Sequence, residues 1–146
     1  GISRQVVSLS PLWLFHTAPA PVATAFARRA NDLLAEWCGA DRTRLAGMAS
    51  LPAQDVGAAI VELERSVTEL GLVGGYIGTD ARPGLDDPDL DDLYSACVDL
   101  DVPLFVHSTM GRVGASVVDP RLDRWMGGVI YGYPVTCKGG KYEIVK

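Results

Sequence analysis

Histidine and cysteine, two residues that often bind metals in proteins, are scarce in this sequence. Its 146 residues include only two histidines and three cysteines, with no HxH and no CxxC pair. The cysteines, Cys38, Cys97 and Cys137, are odd in number and far apart, which argues against a disulfide framework and indicates reduced thiols. Neither GxGxxG nor GxxxxGK[ST] occurs, so the sequence offers no glycine-rich loop for nucleotide phosphates.

Positive charge and long apolar runs are also in short supply. Thirteen Lys and Arg residues are outnumbered by eighteen Asp and Glu residues, giving a formal net charge of −5. We therefore expect no nucleic-acid partner, because a basic groove is absent. No apolar run approaches the roughly 20 residues that span a bilayer, and no secretory signal is recognisable. These absences predict no membrane contact and a cytoplasmic location.

What the sequence does contain is a regular alternation of strand-like and helix-like patterns. Short apolar runs that stop at turn residues indicate strands, and apolar residues at i, i+3, i+4 and i+7 indicate helices. We predict strands near residues 4–9, 44–50, 72–78 and 102–107, and helices near 22–38, 55–70 and 90–100. This order predicts an α/β fold with a parallel sheet and right-handed crossovers.

The most apolar of the predicted strands ends at His107. Folds of this class place their sites at the carboxyl ends of parallel strands, where His107 would be a metal ligand or a general base. The alternative is an ordinary histidine, partly buried or in a loop, that bonds to a backbone carbonyl. The residues alone leave both interpretations open.

Two further segments lie beside predicted strand ends. Residues 12–17, which include Phe15 and His16, are too apolar for a solvated loop and either line a pocket or pack under a neighbouring loop. The third strand is glycine-rich, which would allow a close approach to its backbone. The carboxylates between Asp86 and Asp92 lack EF-hand spacing, and we interpret them as a solvated acidic loop and helix start.

Six short segments, in order, resemble one family: residues 31–35, 44–55, 58–65, 70–74, 77–79 and 104–107. The chain resembles the amidohydrolase-related family over about residues 4–134, in the branch of 2-amino-3-carboxymuconate-6-semialdehyde decarboxylase. The resemblance implies a (β/α)8 barrel with a divalent metal, usually zinc, at its mouth. It implies that His107 is a metal ligand and that Phe15, His16 and Thr79 shape a pocket for a small unsaturated or aromatic carboxylic acid.

The sequence also departs from that family. The HxH metal pair of the family's first strand is missing, and neither the later histidine nor the last strand's aspartate occurs after residue 134. A complete barrel needs about 250 residues. We therefore expect an internal piece, a partial barrel of about four parallel strands over residues 1–134, followed by a divergent tail, 135–146, that is a hairpin or disordered.

These departures limit the function expected of the chain by itself. Zinc sites use three or four protein ligands, and the sequence offers one credible one, so we expect weak zinc binding or none and an inactive isolated chain. The parent enzyme would be a carboxy-lyase. The alternatives are a metal-dependent hydrolase of an ester or lactone on the same barrel, or a non-catalytic truncated fragment. Uncovered strand edges and helix faces predict self-association.

Overall fold

The structure is a computed structural model that describes residues 1–10, 14–78, 81, 83–107, 133–138 and 141–144. Its elements, in chain order, are β1 (Gln5–Val7), α1 (Ala20–Gly39), β2 (Leu45–Gly47), β3 (Ala49–Ser50), α2 (Val56–Thr68), β4 (Gly75–Gly78), a 3₁₀ turn (Pro88–Leu90), α3 (Asp91–Asp99), β5 (Leu104–His107), β6 (Tyr133–Lys138) and β7 (Lys141–Ile144).

The predicted alternation of strands and helices is confirmed. The strands are shorter than predicted, and β4 shows why. Leu72 N donates to Ser66 O, and therefore still belongs to the structure that ends α2. Between them Gly71 adopts φ 69°, a left-handed conformation that glycine tolerates and that ends helices well. The strand proper can begin only after this turn.

The four predicted strands form one parallel arrangement. β1 pairs with β2, β3 pairs with β4, and β4 pairs with β5, all in parallel. β2 and β3 are two parts of one predicted strand, interrupted at Met48. Met48 N donates to Val7 O on one side, while Val73 N donates to Gly47 O on the other, so the strand bridges both neighbours. The sheet is thus part of a (β/α) barrel wall.

The free edge of β5 is covered by a hairpin. β6 runs antiparallel to β5, with Leu104 opposite Val135 and Val106 opposite Tyr133, and β7 pairs antiparallel with β6. In a complete (β/α)8 barrel a further parallel strand occupies this edge. The division between a barrel segment, 1–134, and a separate tail stays a prediction.

The main core lies between the sheet and the helices. Every second strand residue points towards α2 and α3, as the period of two requires. Leu104 on β5, Leu63 on α2 and Leu93 on α3 are each 0% exposed in this core. Gly75 is needed here because an added Cβ would lie 2.7 Å from Leu51 Cδ1 and 3.0 Å from Leu104 Cδ1. The close approach predicted for this glycine-rich strand is therefore made by neighbouring side chains.

Helix starts follow the sequence signals. Asp55 caps α2, since its Oδ1 accepts from Ala58 N at 2.9 Å, as its place just before the apolar helical pattern favours. Pro19 and Pro21 fall at the start of α1, where a missing N–H costs nothing. None of the helices in the described part of the chain is long and apolar enough to cross a membrane.

Candidate functional site

The carboxyl ends of the parallel strands meet at one edge of the sheet, which we call the mouth. His107 is the last residue of β5, and its Cα partner is Gly78, the last residue of β4. The structure thus places His107 at the mouth, where the sequence predicted it. Thr79 follows Gly78 directly but lies outside the described residues, so its role stays a prediction.

His107 points to the face of the sheet opposite the helices, the interior face. Strand alternation puts it on the same side as Phe105, and register puts Tyr76 beside Phe105. The imidazole lies edge-on to the Tyr76 ring, with centroids 6.1 Å apart, and 6.2 Å from the Phe105 ring. Two aromatic rings therefore contact His107, which is only half-buried.

Tyr76 is the buried centre of this interior face. It is 0% exposed, stacks on Phe105 at 5.8 Å and belongs to a small cluster with Leu14 and Met48. Burial raises the pKa of its phenol, and the nearby Ser8 hydroxyl partly offsets that rise. Tyr76 Oη makes no hydrogen bond of good geometry to any described residue, so Ser8 approaches without completing one.

His16 brings the loop between β1 and α1 over the mouth. The imidazole is 5% exposed, and its Nε2 accepts a hydrogen bond from Gly78 N at 2.9 Å. A neutral imidazole that accepts through Nε2 carries its proton on Nδ1. While this bond persists, the Nε2 lone pair of His16 is not available to a metal ion. His16 and His107 therefore lie on either side of the end of β4.

Phe15, the residue before His16, has an unfavourable backbone conformation. Its φ is 53°, which costs a bulky residue about 1–3 kcal/mol. The Phe15 ring packs edge-on against Phe26 with centroids 4.5 Å apart and stays 38% exposed. Gln54 Nε2 donates to Phe15 O at 3.0 Å and to Ala18 O at 3.1 Å. The loop is thus held from both sides.

A buried asparagine fixes the end of β3. Asn31, on α1, is 1% exposed; its Oδ1 accepts from Ser50 N at 2.8 Å, and its Nδ2 donates to Ser50 O at 3.0 Å. β1 ends at Val7, so none of the strands that the structure describes lies beside β3 at Ser50 on that side. Asn31 supplies the two hydrogen bonds that a strand would make there.

Asn31 is itself held by a charged cluster between α1 and α2. Its Nδ2 also donates to Glu62 Oε1 at 2.7 Å, and Glu62 is 1% exposed. Arg65 pairs with Glu62 at 2.8 Å and with Asp32 at 2.8 Å. The hydrogen bonds that Arg65 donates to Glu62 raise the pKa of Arg65, although burial opposes the rise. These charges are paired on the helix side of the sheet, so their role is structural.

Sequence reasoning did not identify Asn31, Gln54 or Tyr76. Tyr76 could have been found from strand alternation, since it lies two residues before Gly78 and therefore on the same face. Asn31 and Gln54 gave no comparable signal, because their partners lie 19 and at least 36 residues away.

The residues that the structure describes do not complete a metal site. No group of three His, Cys, Asp or Glu side chains among them could hold an ion. His107 offers one imidazole, and His16 Nε2 is engaged by Gly78. A divalent transition metal needs three or more protein ligands, so this set does not fit such an ion without further ligands.

Comparison with known proteins agrees with the fold. The family model described as "Amidohydrolase" matches residues 7–134. Gamma-resorcylate decarboxylase of Rhizobium radiobacter is 34% identical over an alignment of 114 residues, which covers 73% of this chain and 35% of that protein. 2-Amino-3-carboxymuconate-6-semialdehyde decarboxylase of Dictyostelium discoideum is 35% identical over 107 residues, 73% of this chain and 30% of that protein.

Solved structures give the same result. The 5-carboxyvanillate decarboxylase of Novosphingobium aromaticivorans, complexed with manganese and 4-hydroxy-3-methoxy-5-nitrobenzoic acid, superimposes with a TM-score of 0.74 at 30% identity. It covers 90% of this chain, while this chain covers 37% of it. Divalent metal and a small carboxylic acid are thus bound in a relative of the same architecture.

The predicted resemblance is confirmed by these matches, and so is the partial barrel. The chain spans 35% and 30% of the two curated relatives named above. Since the family model covers most of the sequence, the chain belongs to the amidohydrolase family.

Proposed function

We propose that the chain is a section of the barrel of a metal-dependent decarboxylase that acts on a small aromatic or unsaturated carboxylic acid. The observation that carries this proposal is the position of His107. It ends a parallel strand, faces the interior and lies beside Gly78 at the mouth, in a chain similar to the two decarboxylases named above.

The reaction breaks the bond between the carboxylate carbon and its ring or alkene carbon. Carbon dioxide leaves, the electron pair stays on the organic fragment, and a proton is delivered to that carbon. A divalent metal, for which zinc is our expectation, would supply the positive charge that orients the carboxylate. We propose that His107 is one of its ligands, together with others that the described residues do not provide.

The walls of the proposed pocket come from the two segments that flank His107. Phe15 presents a partly exposed ring beside the loop that carries His16, and Thr79 directly follows the end of β4. An apolar ring next to a few polar groups suits a flat aromatic acid. We therefore propose Phe15, His16 and Thr79 as substrate-contacting residues.

A chimera tests the function with the missing ligands restored. Residues 7–107 of this chain would replace the corresponding segment of the Rhizobium radiobacter gamma-resorcylate decarboxylase, which is similar enough over 114 residues to accept it. We expect metal-dependent release of carbon dioxide from gamma-resorcylate. We expect His107→Ala in the chimera to reduce kcat/KM by at least about 10³-fold, since ligand loss removes metal and its electrostatic effect together.

The control for the chimera is Thr43→Ala, because the Thr43 hydroxyl bonds to Asp41 Oδ1 on an exposed turn far in sequence from the strand ends. This variant should keep full activity. A folded chimera that binds metal as the parent does but releases no carbon dioxide would contradict the proposed function. So would full activity in the His107→Ala chimera.

A hydrolase of an ester or lactone is the second candidate, since the matching family model is described as an amidohydrolase. Giving the chimera gamma-resorcylate in one reaction and an ester or lactone in another separates the two reactions by product. Hydrolysis yields an acid and an alcohol without carbon dioxide, whereas decarboxylation yields the decarboxylated ring. Gas release measured beside chromatography of the products distinguishes them.

We also propose that the chain self-associates in the cytoplasm. Helix α1 exposes an apolar stripe in which Val22 is 57%, Leu33 47% and Trp37 57% exposed, and the neighbouring strand β1 exposes Val6 at 60%. Such a surface favours association with a second copy over solvation. Light scattering should give a mass above 15.6 kDa, which Trp37→Lys reduces. A monomeric mass at all concentrations would refute self-association. The alternative of a non-catalytic fragment that acts through association would then have no support.

A further inference from the structure

The loop over the mouth carries more restraint than a connecting loop needs. Phe15 has a positive φ, and its neighbour His16 is turned inward, where Nε2 accepts from Gly78 N. A bulky residue stays in this conformation only when its surroundings enforce it. The groups that contact the loop must therefore determine where His16 lies.

Gln54 makes the contacts that enforce this conformation. Its Nε2 carries two protons, and it donates one to Phe15 O and the other to Ala18 O, at 3.0 and 3.1 Å. Phe15 O also accepts from Ala18 N at 2.9 Å, which closes the turn. A single side chain therefore holds both ends of the segment that includes His16.

Gln54 is suited to this task because its own backbone is fixed. It lies between β3 and α2, where Leu51 N donates to Tyr76 O and Asp55 caps the next helix. Asn31 immobilises Ser50, the last residue of β3, through both its backbone N–H and its C=O. Rigid elements position a functional group better than loops do, and Gln54 transmits that rigidity to the loop.

We propose that Gln54 is a positioning residue for the mouth of the barrel. It holds the Phe15–Ala18 segment so that His16 Nε2 caps the Gly78 amide, next to the Cα partner of Gly78, His107. This inference rests on the proposed function only in treating the mouth as the reaction site. Without Gln54, Phe15 relaxes to a negative φ, and His16 leaves Gly78.

The wild-type chain supplies the first test, without metal or substrate. In a uniformly ¹⁵N-labelled sample, the hydrogen bond between Gly78 N–H and His16 Nε2 should give a scalar coupling between the two nitrogens. The His16 ring nitrogens should show the Nδ1-protonated tautomer. Absence of the coupling in the folded wild-type chain overturns the proposal before any variant is made.

The second test removes the two donors. Gln54→Met keeps the length of the side chain, and Gln54→Glu places an anionic acceptor against two carbonyl oxygens. We expect both variants to lose the His16–Gly78 coupling and to accelerate hydrogen exchange of the Gly78 amide at least about tenfold, because a hydrogen bond of ordinary strength is released. Exchange of the Leu51 amide, in the sheet, should stay within about twofold.

The matched control is Gln5→Met, the same change at the chain's other glutamine, which is exposed on β1. It should leave the coupling and the Gly78 exchange rate unchanged. If the coupling and exchange rate persist in both Gln54 variants, Gln54 does not position His16. These measurements need no enzymatic activity. An inactive chimera would therefore contradict the proposed function but not the role of Gln54, whereas persistence of the coupling in the Gln54 variants would contradict the role of Gln54 but not the proposed function.

Discussion

The two faces of the sheet differ in how completely they are covered. On the helix side of β5, Leu104 is 0% and Val106 6% exposed, whereas Phe105 and His107, which alternate with them on the interior side, are only half-buried. The helices that cover the first face come from the same repeats as the strands. The interior face of a (β/α)8 barrel is instead covered by the strands across the barrel, and this chain covers about a third of its relatives.

This difference separates stability from chemistry. The helix-facing core needs only neighbouring repeats and is complete within the chain. The interior face carries the residues that our proposed function uses, and it depends on distant strands. Substitutions on the two faces should therefore have unequal effects on folding, and the following predictions test that inequality.

Adjacent residues on β5 give the largest expected contrast. Leu104→Ala should lower the free energy of unfolding by about 3–4 kcal/mol, since it opens a cavity among fully buried side chains. Phe105→Ala removes a larger side chain but should cost only about 1 kcal/mol, because that ring is only partly buried. Urea unfolding followed by circular dichroism measures both. Equal losses would mean that the interior face is covered in solution, as a second copy would do.

Loss of the Asn31 hydrogen bonds to β3 should give the next largest effect on stability. Asn31→Ala leaves Ser50 N and Ser50 O without their partners and deprives Glu62 of a donor, so we expect a loss of about 2–3 kcal/mol. Asp32→Ala, one residue along α1, removes only a partly exposed ion pair with Arg65 and should cost less than about 1 kcal/mol. If the two substitutions proved equal, Asn31 would not be replacing a strand.

Tyr76 should make stability depend on pH on the interior face. Burial raises its pKa above the ordinary 10.0, so above pH 10 the unfolded state loses a proton that the folded state keeps. Stability from this group is present below pH 10 and is lost as pH rises towards the folded pKa. The stability of wild type relative to Tyr76→Phe should therefore decrease between pH 9 and pH 11, as measured by urea unfolding. A constant difference across this range would contradict the burial.

The sequence was most informative where structure is local. Apolar spacing predicted α2, and the apolar run before His107 placed that residue at a strand end. Each of these signals lies within about ten residues of the feature it predicts.

The rest depends on contacts between distant segments. Phe15 has a left-handed backbone conformation although it is neither glycine nor asparagine, the residues that usually signal one. Gln54, which is 39 residues away in the sequence, holds Phe15 in this conformation. Asn31 looked like one more position in a helical pattern, although it is bonded to a strand 19 residues later. Polar side chains that bond across a fold leave no periodic trace in the sequence, so only the structure could identify them.

The smallest expected effect is on metal binding by the isolated chain. His107 stands at the mouth with aromatic neighbours, and the described residues include no cluster of three metal-binding side chains. One imidazole cannot provide the chelation that metal sites use. Calorimetric titration with zinc or manganese should therefore show no stoichiometric binding tighter than about 1 µM, or about −8 kcal/mol, and His107→Ala should change the isotherm little. Tight binding lost in that variant would mean that a second copy, or residues outside the described part of the chain, complete the site. The interior face would then be where the copies meet.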